Sequence, residues 1–181
     1  MAQTQLHNYS VQEKLNKMDV DVITVSATMG TGATDATIMF PLTEIPNAVA
    51  VNGGACIIHS ITAVLADNPD DDLSVATNMT NSFRLVFSND STTLGVADAA
   101  ITTEGAGPGE LNRDLLDGIQ GFTDIAAIQD FGELAIGSKT NAGLLAKAES
   151  DSRSLYVTGI TQSGDDYNGG TITLNIGIVK D

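Results

Sequence analysis

The side chains that could do chemistry in this chain are few: two histidines, one cysteine and several groups of aspartate. Cys56 and His59 lie three positions apart in the run VNGGACIIHSITAVLAD, residues 51–67. A thiolate beside an imidazole is the minimal nucleophile–base pair of covalent catalysis. In a strand, though, positions of opposite parity project to opposite faces, so this pair fails as a dyad. With Ile57 and Ile61 as same-face neighbours, His59 reads as a core or interface histidine rather than a base or a ligand; His7 stands alone near the N-terminus. Asp67, Asp70, Asp71 and Asp72 offer the hard oxygens that calcium takes, but they lack the glycine at the sixth and glutamate at the twelfth position of an EF-hand loop. A solvated turn that ends a strand is the simpler reading, and Asp165-Asp166 is read the same way. GAGPG at Gly105 to Gly109 lacks the Gly-Lys-Ser/Thr of a phosphate loop, and no G-x-S-x-G elbow occurs. No catalytic constellation results. The expectation is a protein that is not an enzyme and needs no metal or cofactor.

The elements that position these residues read as strands. Ile57 to Ala66 is rich in Ile, Val and Thr, holds no charge, Gly or Pro, and sits between Gly53-Gly54 and an Asp-Asn-Pro turn. This predicts a strand buried on both faces, with Ile57, His59, Ile61, Ala63 and Leu65 on one side. Asp19 to Thr28 is the first strand, and a phase change between Val22 and Ile23 points to a bulge or a bend there. Thr37 to Leu42 follows, with Pro41 arguing for an edge. Phe83, Leu85 and Phe87 alternate inward with Arg84, Val86 and Ser88 outward. Residues 89–109 read as a long loop, 110–117 as a short helix, and 119–128, 131–136 and 143–148 as strands. Ile172, Leu174, Ile176 and Ile178 give the cleanest alternation, and the Gly/Asp-rich loop at 164–170 predicts that this last strand forms a hairpin with 154–162. Eight or nine strands without a βαβ alternation predict an all-β fold, an antiparallel β-sandwich with jelly roll as the leading variant.

Charge narrows the partners. Twenty-three acidic residues against eight basic ones give a net charge of −15 in 181 residues, and no window clusters Lys and Arg, so phosphate backbones are repelled and no nucleic-acid partner is expected. Acidity of this size keeps copies apart at high local concentration. With no tryptophan and aromatics at 4%, a sugar-stacking groove is poorly supplied. A single cysteine allows no internal disulfide. Neither a signal-peptide core nor a run of membrane-spanning length is present, so no membrane partner is expected.

The first eighteen residues are set apart from the domain expected at 19–181. Ser10 and Glu13 fit a capping box, and Val11, Leu15 and Met18 follow on one helical face. A helix of about two turns is marginal alone and must dock. It either covers an open end of its own sandwich or clasps a neighbouring subunit. On the second reading Leu6, Tyr9, Val11, Leu15 and Met18 form a partner-binding arm.

The Gly-led strand Gly53 to Asp67, the alternating block Phe83 to Phe87, and the C-terminal pair Leu155 to Gly159 and Ile172 to Asp181 together resemble jelly-roll decoration or cement proteins of tailed bacteriophages, especially those of aquatic bacteria. The resemblance covers roughly residues 36–181; the first 35 do not match. It implies a virion protein on the capsid exterior, made in the host cytoplasm, that binds the major capsid protein and itself as a homo-oligomer, a trimer in the leading version. A receptor- or carbohydrate-binding module of a head or tail fibre is the alternative, and a small jelly-roll enzyme, which would need His-x-His ligands absent here, is a third reading. Self-assembly needs a self-complementary surface, and uncharged strand faces rich in Thr, Ser and Ala would supply one.

Overall fold

Alternating apolar residues build the longer strands among the described residues of this protein. The computed structural model describes residues 19–30, 36–66, 81–91, 96–99, 118–126, 128–131, 134–162, 167 and 169–180. All nine elements among them are strands: β1 (Asp19–Thr28), β2 (Ile38–Ile45), β3 (Ala55–Ala66), β4 (Phe83–Ser88), β5 (Ile119–Ile125), β6 (Gln129–Asp130), β7 (Leu134–Lys147), β8 (Leu155–Thr161) and β9 (Thr171–Lys180). They form a five-stranded sheet in the order β1-β9-β3-β7-β6 and a four-stranded sheet in the order β2-β8-β4-β5.

The pairing is nested. β1 pairs with β9, β2 with β8, β3 with β7 and β4 with β5, all antiparallel. With two-residue β6 taken as an appendage of β7, this is one long antiparallel ribbon wound on itself, and β3–β9 and β4–β8 contacts close each sheet. That winding is a jelly roll. It also corrects the predicted hairpin: β8 and β9 are consecutive but belong to opposite sheets. A short Gly- and Asp-rich connection turns the chain equally well across the sandwich as within one sheet.

The core lies between the sheets. Ile172, Leu174, Ile176 and Ile178 of β9 are buried as predicted, and face Phe83, Leu85 and Phe87 of β4 and Leu155 and Val157 of β8 in one continuous cluster. β1 keeps unbroken register with β9 from Asp19 to Thr28, so the predicted bulge there is absent. The phase change is instead settled by leaving Val22 63% exposed on the outer face while Val25 is buried. β2 does lie on an edge, and it is β2 whose register slips, twice, between Ile38 and Thr43 around Pro41.

β3 is central but not buried on both faces. Its buried positions are Cys56 and Ile58, then Ile61, Ala63 and Leu65. The parity changes because a bulge sits at His59: Ile58 and Ser60 are opposite Ile178 and Gly177, consecutive residues of β9. Across the same interval β7 steps from Leu144 to Thr140. The three extra residues include Asn141 and Gly143 at φ of 57° and 61°, the left-handed region that Asn and Gly enter most readily. The bulge therefore runs across the sheet, and the segments expected as separate strands at 131–136 and 143–148 are one strand of 14 residues.

Candidate functional site

The residues predicted to form a partner-binding arm, Leu6, Tyr9, Val11, Leu15 and Met18, lie outside the described residues, as do the aspartates at 67–72 and 165–166, the glycine-rich segment 105–109 and the expected helix at 110–117. Cys56 and His59 are described. Cys56 points into the core, 2% exposed, whereas His59 is exposed at the bulge, so His59 is not a core residue. Burial pushes the Cys56 thiol up to about 11, against the opposing pull of Lys180. A thiol held so far above neutrality stays protonated and unreactive. Lys180, opposite Cys56 on β9, has a side chain only 6% exposed, and its ammonium donates to the Asp21 carboxylate at 3.0 Å. That hydrogen bond, followed by one from the Val22 amide, holds the Asp21 carboxyl below its ordinary range. The group is a satisfied ion pair at one end of the sandwich. Among the described residues no three His, Cys, Asp or Glu side chains gather as metal ligands.

The outer face of the four-stranded sheet is polar and tied down. Arg84 on β4 meets Asp124 directly across on β5, donating from Nε at 2.7 Å and from Nη2 at 3.2 Å. The guanidinium also lies 4.4 Å from the centroid of the Phe122 ring, a cation–π contact. Gln162 donates to Asp124 at 3.0 Å and accepts from Ser82 at 2.8 Å. The Arg84 hydrogen bonds hold the Asp124 carboxyl below its usual value. Beside this network Val86, Ser88 and Thr158 are buried, and the Thr158 hydroxyl donates to the Phe40 carbonyl at 2.6 Å.

The outer face of the five-stranded sheet is different. Register places its outward side chains in rows across the strands: Val179, Ile57 and Leu145; Val22, Gly177, Ser60 and Thr140; Thr24, Asn175, Thr62 and Ser138; Ser26, Thr173, Val64 and Ile136; Thr28, Thr171, Ala66 and Leu134. None of these positions carries an acidic, lysine or arginine side chain, and His59, exposed at the bulge between Ile57 and Ser60, is the titratable group beside them. The charges those strands do carry fall elsewhere. Asp21 takes the inward parity of β1 at the end where it pairs with Lys180, Lys139 is opposite inward-facing Ile61, and Lys147 lies beyond Leu145 at the rim. Within the face the polar groups satisfy one another: the Thr24 hydroxyl donates to the Asn175 amide oxygen at 2.7 Å, and the Ser26 and Thr173 hydroxyls share a bond at 3.0 Å. Several apolar members are well exposed, Leu145 at 67% among them.

A shallow hollow elsewhere is lined by Asn52, Gly53, Asn89, Lys147, Ala148, Glu149 and Ser150. No aromatic ring lines it, so it offers a sugar nothing to stack on.

No protein-family model and no curated protein matches the chain. Among solved structures, one of Desmodium yellow mottle tymovirus is similar over 90% of this chain and 86% of that one, at 13% identity and a TM-score of 0.26. Likeness at that level carries no functional weight, and the jelly-roll assignment rests on the strand winding itself. The neutral sheet face is the feature that strand-by-strand reading anticipated only in kind: uncharged Thr-, Ser- and Ala-rich faces were expected, but which strands align them is set by long-range register.

Proposed function

We propose that the protein is a structural virion protein, a decoration or cement protein that binds the outside of a phage head and reinforces the lattice of its major capsid protein, without enzymatic activity. The observation that carries this reading is the uncharged outer face of the β1-β9-β3-β7 layer on a chain of net charge −15. A free surface of so acidic a protein would be expected to share the charge, because charge is what keeps exposed strand faces solvated and apart. A face without it is suited to contact with protein. The jelly roll supports the reading as a rigid two-layer scaffold, and the resemblance carried by residues 53–67, 83–87, 155–159 and 172–181 supplies the phage head as the setting.

The test is direct localisation. Particles of a phage that encodes this chain are imaged with and without it, and added purified full-length protein is sedimented with shells that lack it. The expected result is density of the chain's size on the outer head surface and saturable co-sedimentation. Density at the tail or neck, or shells that do not retain the protein, would overturn the proposal.

A further inference from the structure

We infer that the neutral face of the β1-β9-β3-β7 layer is occupied by a second copy of this chain, packed face to face across a two-fold axis. The inference rests on the structural reading above and names the partner of one surface within it. Four strands and five rows make the face roughly 30 Å by 19 Å at ordinary strand spacings. Two copies would bury on the order of 1,100 Å², just above the area of about 1,000 Å² that a specific interface needs.

What identifies the occupant is the chemistry of the rows. At a symmetry axis identical residues meet. An identical pair of carboxylates or ammoniums repels, so a charged face cannot be self-complementary along the axis. Hydroxyls can be, because each both donates and accepts. Thr24, Ser26, Thr62, Ser138 and Thr173 are of this kind, set between Ile57, Val64 and Leu145, which supply apolar area. Charge gives a second argument. Two copies each at −15 repel wherever acidic surfaces approach within a Debye length of about 8–10 Å, and the neutral face is where that repulsion is least. A basic partner would instead be recognised through carboxylates, which this face lacks.

The test uses the full chain in solution, with no shell present. Sedimentation equilibrium should show the mass of two copies of the 18.7 kDa chain, and a mass of three copies would overturn the face-to-face packing. Thr62→Glu, in the middle row, should weaken self-association at least tenfold with an unchanged circular dichroism spectrum. Ser150→Glu, which adds the same charge at an exposed turn, should leave association intact. If Thr62→Glu does not fold, Thr24→Glu at the exposed edge of the same row replaces it. A wild-type chain that stays monomeric, or an assembly indifferent to glutamate at these positions, overturns the inference. Shell binding by a monomeric wild-type chain would overturn only this inference and leave the capsid role standing; self-association that survives alongside loss of shell binding would do the reverse.

Discussion

The outward rows of the two sheets begin from the same strand alternation and end as different surfaces. On the β2-β8-β4-β5 layer, Arg84, Asp124, Gln162 and Ser82 form a connected network with Phe122 stacked on the guanidinium, and Ser88, Val86 and Thr158 are buried. On the β1-β9-β3-β7 layer the rows between Leu145 and Leu134 carry no acidic, lysine or arginine side chain, and Val22, Ile57 and Leu145 among them are exposed. The first surface is committed to the fold. The second contributes to the fold only through short hydroxyl and amide bonds such as Thr24 to Asn175, and its side chains are available for another surface. A sandwich can divide its labour in this way because each sheet has one face in the core and leaves the other to be assigned separately.

The largest test of that division addresses what the sheets share. Ile176 of β9 and Leu85 of β4 are both fully buried in one cluster, so Ile176→Ala and Leu85→Ala should each cost about 2–5 kcal/mol of stability in urea unfolding. If either costs under about 1 kcal/mol, the two layers do not lean equally on a common core. The outer faces should then diverge. Thr158→Val leaves the Phe40 carbonyl without its buried hydroxyl donor and should cost about 1–2 kcal/mol, whereas Thr62→Val on the open face should stay within about 0.5 kcal/mol. Equal effects would erase the distinction between a committed and an available face.

Legibility in the sequence follows the same line. β4 and β9 could be bounded from sequence because Leu85 and Leu174 sit in clean alternation, a local property, and β1 could be bounded despite its change of phase after Val22. The bulge could not. Asn141 and Gly143 look like turn residues, and they do take turn-like φ values, but inside β7 rather than between two strands. His59 was assigned to the wrong side because parity fails at a bulge that only the pairing with β7 and β9 reveals. The partner of β9 was misassigned for a related reason: a loop's composition says that the chain turns, not which sheet it turns into. The neutral face combines both cases. Its residue types were visible, but their alignment depends on register between strands distant in sequence.

The smallest expected effect sharpens the polar side of the comparison. Arg84 and Asp124 have side chains 38% and 41% exposed, so solvent screens the pair and Arg84→Ala should cost no more than about 1 kcal/mol. The carboxyl is held low in the folded state by Arg84. Its contribution is therefore present above the ordinary carboxylate value of about 4 and is lost as pH falls through the lowered folded value. The stability gap between wild type and Arg84→Ala, followed by thermal melting from pH 7 downwards, should narrow below about pH 4. A gap that widens on acidification would show that Asp124 is not held by this pair.

The nested winding also has a consequence in time. Thr24 and Asn175, neighbours in adjacent strands, are 151 positions apart along the chain, and β9 separates β1 from β3 in the finished sheet. During synthesis β1 and β3 both emerge well before the strand that joins them. Pairings so distant in sequence fold slowly, because a long loop must close before any contact rewards it. The five-stranded sheet, and with it the neutral face, comes into existence only when β9 enters. A chain whose β9 has not yet emerged has no such surface to offer a second copy, so assembly waits on the entry of that strand.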